Sequence, residues 1–399
     1  MDKRTGLPVI GMVGGGQLAR MTHQAAISLG QSMRILAADK NDSAAMVAGS
    51  VQIGHHTDLD ALREFARSVD VVTFDHEHVP GEHLLALVDE DVTVRPGPAA
   101  LAFAQNKLRM RDRLSAAGFP CPPYTAVSDV EDLVKFGTEH SWPVVLKAAS
   151  GGYDGRGVWM VGDEAEAGEL VPELLAAGTE LLAEQRVEMK RELSALVARS
   201  PFGQGAAWPV VETVQEDGIN TEVLAPAPGL TPHQVHEAQE LGLRLADELG
   251  VVGILAVELF ETDDGLLINE LAMRPHNSGH WTMDGSATSQ FEQHVRAVLD
   301  YPLGVTDLRG PTVMANVLGA PTTPEMSPDE RVHHLFARFP DAHVHLYGKG
   351  ERPGRKLGHV NFVGENMDDL RTRARLAAHW LSHAEWPDGY DIHGKGARS

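Results

Sequence analysis

The sequence predicts a mixed α/β and α+β protein built from three successive units. The first hundred residues alternate short β-branched runs with helical patterns, which favours a parallel sheet wound with helices. A glycine-rich loop then joins two strands rather than a strand and a helix, and antiparallel-looking runs follow from residue 192 onward. We place the units at residues 1–120, 121–200 and 201–399, with the proline-rich segment 119–124 as the first linker.

The elements of the first unit follow from residue periodicity. Strands are predicted where β-branched residues run together, and helices where apolar residues recur every three or four positions. The predicted strands are "PVIGMVG", "MRILAAD" and "DVVTFD", and the predicted helices are Gln17–Leu29, Asp58–Arg67, Gly81–Val88 and Leu101–Ala117.

The same patterns define the second and third units. In the second, the two strands of "WPVVLKAASGGYDGRGVWMV" precede the helix Asp163–Ala177 and the strand Glu180–Val187. The third is predicted to contain the strands "ELSALVARS" and "GAAWPVVETV", the hairpin "GILAVELFETDDGLLINELAMR", and the helices Pro232–Leu249, Ser286–Leu299 and Met367–Ala384.

The composition indicates a globular protein with an acidic surface. The 399 residues are 43% hydrophobic and carry a net charge of −22, which disfavours nucleic acid or an anionic membrane as partner because polyanions would be repelled. The single cysteine, Cys121, excludes an internal disulfide and a cysteine-rich metal site. We recognise no cleavable leader and no apolar run near the roughly 20 residues needed to cross a bilayer, so we expect a cytoplasmic protein.

The N-terminal stretch "VIGMVGGGQLARM" has the spacing of a dinucleotide-binding fingerprint. Gly14, Gly16 and Ala19 match G-x-G-x-x-A, and Asp39 ends the next apolar run where a ribose-binding acid is expected. The pattern predicts a Rossmann-like first unit and raises the hypothesis of an NAD-dependent dehydrogenase. The fold alone does not establish cofactor binding, however.

A second motif is the glycine loop that follows Lys147 in "LKAASGGYDGRGV". A loop between two strands can fold over phosphate groups as a flap, because glycines allow backbone N–H groups to approach closely. An ordinary glycine-rich hairpin loop is the alternative. A P-loop ATPase is excluded, because the chain contains no G-x-x-x-x-G-K-[ST] sequence.

A pair of acids flanks the "TDDG" turn of the predicted hairpin. A three-residue connection, Asp263–Gly265, would place Glu258 directly opposite Glu270, with the two carboxylates roughly 5 Å apart. Such a pair is destabilising without a counter-ion, and carboxylate oxygens suit Mg²⁺ held jointly with substrate phosphates. Asn269 offers a further oxygen. A solvated acidic hairpin remains the alternative.

Two further runs concentrate chemically active side chains. "NELAMRPHNSGHW" places an arginine, two histidines, an asparagine and a serine immediately after Glu270, a density that a structural core does not require. "YGKGERPGRKLGH" places four basic residues within eight positions of an otherwise acidic chain. It predicts an anion pocket, with a solvated basic turn as the alternative.

Taken together, these motifs resemble the ATP-grasp superfamily across nearly the whole chain. The order of motifs carries the resemblance: "GGGQLARM", the lysine of "QNK", the strand lysine, the flap "GGYDGRG", the hinge "EQRV", and the paired glutamates. The runs "GGYDGRG", "RPHNSGHWT" and "RPGRKLGH" are similar to those of the N5-carboxyaminoimidazole ribonucleotide synthases of purine biosynthesis.

The resemblance implies an ATP-dependent carbon–nitrogen ligase. ATP would phosphorylate bicarbonate to carboxyphosphate, and 5-aminoimidazole ribonucleotide would then accept the carboxyl group at its exocyclic amine, without biotin or NAD. It also implies a small ATP-grasp lid domain over 121–200, a C-terminal ATP-grasp domain over 201–399 with the metal and substrate sites, and a homodimer.

Residue roles are implied in the same way. For ATP, the implied contacts are Lys107, Lys147, Gly152, Tyr153, Asp154, Gly155, Arg156, Gly157, Glu184, Val187, Glu192, Asn269 and Glu270. Mg²⁺ would be held by Glu258 and Glu270, and the ribonucleotide by Tyr153, Asp154, Arg156, Lys349, Arg355 and Lys356. Arg274, Asn277 and His280 would act at the reacting centre, with Arg274 stabilising carboxyphosphate.

Some features leave alternatives open. A formate-dependent glycinamide ribonucleotide transformylase shares the ATP-grasp frame, and the dehydrogenase hypothesis depends on the N-terminal fingerprint alone. Gln215 stands where related sequences usually carry histidine, which predicts a modest change in ATP affinity. The first unit is expected to lend Gln17 and the segment 75–77 to the substrate pocket.

Overall fold

In the computed structural model, which describes residues 1–151 and 156–391, the chain forms three sheets. The first is parallel, in the order β3-β2-β1-β4, as the alternating pattern predicted. Its strands are β1 (Val9–Val13), β2 (Ser32–Ala37), β3 (Val51–Ile53) and β4 (Val71–Phe74), and its helices are α1 (Gln17–Ser28), α2 (Leu59–Ala66) and α3 (Gly81–Asp89).

The predicted helix Leu101–Ala117 is wrong in one respect, because the segment forms two helices. They are α4 (Pro98–Gln105) and α5 (Lys107–Ala116). Asn106 between them has extended backbone angles, φ −141° and ψ 114°, and its side chain accepts a hydrogen bond from the Arg109 amide. Asn106 therefore caps α5, as asparagine commonly does at helix starts, and it places Lys107 in the first turn.

The second sheet is antiparallel, in the order β5-β8-β6-β7. Its strands are β5 (Tyr124–Val127), β6 (Val144–Ala148), β7 (Val158–Val161) and β8 (Leu181–Gln185). Two helices, α6 (Val130–His140) and α7 (Glu164–Ala176), pack on it around a shared apolar cluster that includes Phe136 and Leu146. The sequence analysis did not predict α6.

The third sheet has nine strands among the described residues. Eight follow the order β14-β13-β9-β11-β12-β15-β17-β16, and β10 pairs with β9. The strands are β9 (Arg191–Arg199), β10 (Gly205–Ala207), β11 (Val211–Glu216), β12 (Ile219–Ala225), β13 (Gly253–Glu261), β14 (Leu266–Ala272), β15 (Thr312–Leu318), β16 (His343–Leu346) and β17 (Lys356–Val363). The associated helices are α8 (Pro232–Glu248), α9 (Thr282–Gly285), α10 (Gln290–Val298), α11 (Pro328–Arg338) and α12 (Met367–His383), with a 3₁₀ turn at Asn277–Gly279.

The strand β9 bears on the division into units. The predicted boundary at residue 200 assigns it to the second unit, yet β9 pairs with β11 and β13 in the third sheet. Sheet membership therefore puts the change of unit between β8 and β9, because a strand in the middle of a ladder belongs with its hydrogen-bonding neighbours.

One apolar core connects the first unit to the third sheet. Phe74 and Met110 from the N-terminal part belong to the same buried cluster as Leu255 and Ile268 of the hairpin strands. The cluster includes apolar residues of both α5 and β14. None of the described helices is both long enough and apolar enough to span a lipid bilayer.

Candidate active site

The hairpin β13–β14 brings the two predicted metal ligands together. Glu258 is paired with Glu270 across the ladder, which confirms the predicted register. The predicted three-residue connection is wrong: the Thr262 amide donates to the Gly265 carbonyl (2.9 Å), so the turn is one residue shorter. A β-bulge at Asn269 restores the register, because the extra residue on β14 shifts the pairing by one position.

Burial and like charge dominate the electrostatics of this pair. Burial in the cleft, together with the nearby Glu270 carboxylate, raises the pKa of Glu258 well above its usual range. His276 lies beside it, with its Nε2 atom 3.3 Å from Glu258 Oε1. Burial lowers the pKa of His276 to about 3, so the imidazole is neutral and the contact with Glu258 is not an ion pair.

Two lysines from other elements reach the hairpin. Lys107, in the first turn of α5, forms an ion pair with Glu270. Lys147, at the end of β6, lies 2.6 Å from Glu184 Oε2 and 3.3 Å from Asn269 Oδ1. Cationic side chains from the first and second units thus converge on the acidic hairpin of the third, which is the arrangement needed to hold a polyanion beside a divalent cation.

Glu184 is itself almost completely buried on β8, with 2% of its surface exposed. Burial alone would raise its pKa, but Lys147 and Arg111 outweigh that effect and hold the pKa at about 2. The side chain is therefore a permanent anion enclosed by two cations. Glu192, on β9, accepts a hydrogen bond from Gln215 Nε2 (3.4 Å), and burial raises its pKa.

The N-terminal glycine fingerprint serves a different purpose from pyrophosphate binding. The Asp75 carboxylate accepts a hydrogen bond from the Gly16 amide (2.6 Å) at the start of α1, so it occupies the place where an anion would sit. Gly14 has φ +106°, and a Cβ there would lie 1.7 Å from Asp75 Oδ1. The glycines are thus needed for the close approach of Asp75, and Asp39 accepts a hydrogen bond from the Asn41 amide in a local turn.

Arg274 follows β14 and is fixed by an acid of the first unit. Its Nε atom lies 2.7 Å from Glu77 Oε2, and the other Glu77 oxygen accepts a hydrogen bond from the Met273 amide (3.2 Å). Within the segment 75–77, which was predicted to contribute to the substrate pocket, Glu77 therefore orients Arg274. A charge-assisted pair of this kind fixes the guanidinium direction.

Asn277 lies in a cluster of three amides. Asn277 donates to Asn316 Oδ1 (3.0 Å), and its own oxygen accepts from Asn316 Nδ2 (2.8 Å) and Asn220 Nδ2 (3.1 Å). His280 is 1% exposed, and its Nδ1 atom lies 2.9 Å from Gln290 Nε2. In this structure the His280 side chain thus lies in the protein interior against Gln290, whereas the Asn277 side chain is only partly buried.

The predicted anion pocket brings together the first unit and the C-terminal strands. Lys349 donates a hydrogen bond to Gln17 Oε1 at the start of α1, and burial followed by the charge of Arg355 lowers the pKa of Lys349. Arg355 donates to the Gly350 carbonyl (3.1 Å), and Lys356 begins β17 opposite Leu318. The basic side chains therefore share one loop and one strand start.

Comparison with known proteins decides the family. Three domain models match: the ribonucleotide synthetase preATP-grasp domain over 7–105, the ATP-grasp domain over 112–291, and the phosphoribosylaminoimidazole carboxylase C-terminal domain over 312–373. The chain is 63% identical over 388 residues to the N5-carboxyaminoimidazole ribonucleotide synthase of Mycobacterium tuberculosis (strain ATCC 25618 / H37Rv), covering 97% of this chain and 90% of that protein. The chain belongs to the N5-carboxyaminoimidazole ribonucleotide synthases.

Solved structures agree with this assignment. A crystal structure of the ADP complex of an N5-carboxyaminoimidazole ribonucleotide synthetase matches with a TM-score of 0.86 at 37% identity, covering 95% of this chain and 98% of that one. The Aspergillus clavatus synthase in complex with ADP and 5-aminoimidazole ribonucleotide matches with a TM-score of 0.83 at 32% identity, covering 94% and 98%.

Family membership establishes the activity. The enzyme is an ATP-dependent ligase that carboxylates 5-aminoimidazole ribonucleotide to N5-carboxyaminoimidazole ribonucleotide in purine biosynthesis. The predicted ATP-grasp fold with an N-terminal Rossmann-like domain is confirmed. The transformylase and dehydrogenase alternatives are set aside by the family, and Asp75 removes the physical basis for the second.

Sequence reasoning missed three residues of this site: Arg111, His276 as a partner of Glu258, and Glu77 as the partner of Arg274. Arg111 contacts Glu184 Oε1 (2.6 Å) and is completely buried. Its helix also carries Arg109 and Arg113, and nothing in the local pattern distinguishes the three arginines. His276 and Glu77 lie in segments that the sequence had already indicated as functional. What the sequence did not predict is that His276 contacts Glu258 and that Glu77 contacts Arg274.

The remaining predicted site residues are placed only in part. Gly152, Tyr153, Asp154 and Gly155 lie outside the described residues. Gly157, with φ +73°, accepts a hydrogen bond from the Ala148 amide (2.8 Å) at the base of the loop, next to Arg156. Val187 lies two residues beyond the end of β8.

Proposed function

We propose that the reaction proceeds through carboxyphosphate. ATP transfers its terminal phosphoryl group to bicarbonate, and the exocyclic amine of 5-aminoimidazole ribonucleotide then takes the carboxyl group as phosphate leaves. The observation that carries this proposal is the convergence of Lys107 and Lys147 on the Glu258–Glu270 hairpin. Phosphoryl transfer depends on positioning and charge neutralisation, and these residues supply both.

The hairpin residues fit a magnesium ion. Glu258 and Glu270 would hold it, with Asn269 beside them, because their oxygen atoms are the ligands that Mg²⁺ prefers and a cation relieves the repulsion between two facing carboxylates. When bound, the ion would neutralise charge on the ATP phosphates.

The ATP-binding role of the remaining residues is part of the same proposal. Lys107 and Lys147 bind the phosphates, the loop 152–157 closes above them, and Glu192 receives the ribose hydroxyls. The adenine edge is bound at the end of β8, by Glu184 and Val187. Closure of the loop keeps water from carboxyphosphate, which would otherwise hydrolyse.

For the second substrate we propose that Lys349, Arg355 and Lys356 bind the 5′-phosphate, and that Tyr153, Asp154 and Arg156 reach it from the loop. Asn277 faces the reacting atoms, and Arg274 stabilises carboxyphosphate. His280 is proposed to act through the segment that it supports, since its side chain is buried.

The direct test of the reaction measures ADP release. ADP should form at full rate only when bicarbonate and 5-aminoimidazole ribonucleotide are both present. Formate in place of bicarbonate should not support release. ADP formation that ignores bicarbonate would contradict the carboxyphosphate route.

Replacement of Arg355 by alanine tests the phosphate pocket. We expect the KM for the ribonucleotide to rise about 10- to 100-fold, because a charge-assisted contact to phosphate is lost, while the KM for ATP stays unchanged. Steady-state kinetics with each substrate varied in turn measures both constants. Arg352→Ala is the matched control, since Arg352 is exposed in the same loop. An unchanged KM in Arg355→Ala would mean that the basic run is a solvated turn.

The raised pKa of Glu258 predicts a pH effect on the metal-free enzyme. A raised pKa means that the native protein retains a proton that the unfolded chain has lost, so this contribution to stability is present at low pH and disappears as pH rises through the raised pKa. The Tm without Mg²⁺ should therefore fall between about pH 4.5 and about pH 8, the ordinary and the raised pKa of Glu258, and Mg²⁺ should restore it most at the upper end. Differential scanning calorimetry with and without Mg²⁺ measures this.

The control for the pH effect is Glu258→Gln, which removes the titrating group. Its Tm should lose this part of the pH dependence and its response to Mg²⁺. If the substituted protein showed the same Mg²⁺-dependent rise as the parent, the ion would bind elsewhere.

We further propose a cytoplasmic homodimer, on the basis of the family resemblance and the single cysteine. Sedimentation equilibrium of the full chain tests the dimer, which predicts twice the 43.1 kDa chain mass. A mass of one chain at enzyme concentrations used for assay would refute it.

A further inference from the structure

Arg111 joins three parts of the molecule from a completely buried position on α5. Its Nε atom lies 2.6 Å from Glu184 Oε1 on β8, while Nη1 donates to the Ile268 carbonyl (2.9 Å) and Nη2 to the Asn269 carbonyl (2.7 Å) on β14. The guanidinium therefore directs donors towards the sheet of the second unit and towards the bulge beside Glu270.

These contacts close a ring of four residues. The second oxygen of Glu184 lies 2.6 Å from Lys147 Nζ, and Lys147 lies 3.3 Å from Asn269 Oδ1. Asn269 in turn supplies the carbonyl that Arg111 binds. The position of the Lys147 ammonium is thus determined by Glu184 and Asn269, and both of these are held by Arg111.

We propose that Arg111 is a positioning residue for ATP binding, which keeps the charge of Lys147 available to the phosphates. This rests on the proposed role of Lys147 as a phosphate ligand. Arg111, Glu184 and Lys147 together carry one net positive charge. Without Arg111, Lys147 is the residue that neutralises the Glu184 carboxylate. The Lys147–Glu184 pair then carries no net charge, and the carboxylate competes with the triphosphate for the Lys147 ammonium.

The geometry also explains why arginine occupies the position. The acceptors, one carboxylate oxygen and two carbonyls, lie along different directions of one planar group. A guanidinium has five donors in a fixed fork, whereas a lysine ammonium is a point charge on a flexible stem. Lysine at 111 would keep the charge near Glu184 but would not tie it to both carbonyls of β14.

The experiment compares Arg111→Lys and Arg111→Met with the parent enzyme in steady-state kinetics. We expect the KM for ATP to rise about threefold in Arg111→Lys and about 30-fold in Arg111→Met, with the KM for the ribonucleotide unchanged. A purely structural role would lower Tm without this selective change in KM. Arg113→Lys is the matched control, since Arg113 lies on the same helix in a half-exposed ion pair with Glu248.

A double substitution isolates the charge argument. Glu184→Gln by itself also alters the proposed adenine contact, so the reference for the double variant is Glu184→Gln alone. With no carboxylate at 184 to neutralise Lys147, adding Arg111→Met to Glu184→Gln should raise the KM for ATP by much less than it does in the parent enzyme. An equal or larger rise in the Glu184→Gln background would overturn the proposal, as would an unchanged KM for ATP in Arg111→Lys. If Arg111→Met does not fold, Arg111→Lys still decides the question.

Lys147→Met separates this inference from the proposed function. If that variant binds ATP normally, the phosphate role of Lys147 fails, and the inference fails with it. If Lys147→Met weakens ATP binding while both Arg111 variants leave it unchanged, only the inference about Arg111 is refuted.

Discussion

Replacing Glu270 by glutamine should lower ATP turnover by about 100-fold or more, because it removes one of the two carboxylates proposed to hold magnesium. The same change breaks the ion pair with Lys107, so a proposed phosphate ligand is also displaced. Both effects act on the charge that must be neutralised when the phosphoryl group transfers. ADP release measured over a Mg²⁺ titration should show a weaker metal dependence as well as a lower maximum rate.

The control for this substitution is Glu240→Gln, an isosteric change on α8. Glu240 is largely exposed, with a long 3.7 Å contact to His236, and is expected to leave the rate unchanged. The Tm of Glu270→Gln should stay close to that of the parent, since relief of carboxylate repulsion offsets the loss of the ion pair. A near-normal rate with normal Mg²⁺ dependence in Glu270→Gln would remove this residue from the metal site.

Replacing Arg274 by lysine should lower kcat by about 100-fold, the scale seen when one fixed donor to a developing anion is removed. Lysine retains the charge, but it cannot keep the fork that Glu77 orients from the first unit. The KM for ATP should change by less than about threefold, because Arg274 is proposed to bind carboxyphosphate rather than ATP. Stopped assays of ADP and of carboxylated product measure both.

Arg199→Lys serves as the matched control for Arg274→Lys. Arg199 ends β9, where it forms an ion pair with the exposed Asp247 of α8, and it has no proposed role in the reaction. Its replacement should leave kcat unchanged. Should Arg274→Lys raise the KM for ATP alone and spare kcat, the residue would belong to nucleotide binding, and the carboxyphosphate role would be withdrawn.

Local patterns accounted for much of the architecture. The runs of β-branched residues predicted the two strands that flank the glycine loop and the two strands of the Glu258–Glu270 hairpin. Such elements can be predicted locally because a strand repeats every two residues and a helix every 3.6 residues along the sequence. They failed at Asn106, where one residue caps a helix and ends the preceding one. A cap looks like an ordinary polar position inside a longer helical pattern unless its backbone angles are known.

The acidic pair shows how far local reasoning reaches. Glu258 and Glu270 were predicted to face each other, and they do, although a shorter turn and a bulge at Asn269 replace the assumed connection. The two errors cancel because each shifts the register by one residue in opposite directions. The predicted pairing is therefore correct, but the combination of a shorter turn and a bulge that produces it is visible only in the strand pairing of the structure.

The sequence by itself determined many of the strands and helices, though not α6, as well as the family through its motifs and the chemical nature of the candidate active-site residues. Only the tertiary structure decided which distant side chains meet: Arg111 with Glu184 and the carbonyls of β14, Glu77 with Arg274, and Asp75 with the glycine loop. The physical reason is that hydrogen bonds and ion pairs act over a few ångströms. Which groups come that close depends on how three sheets pack around shared cores, and no local periodicity encodes that packing.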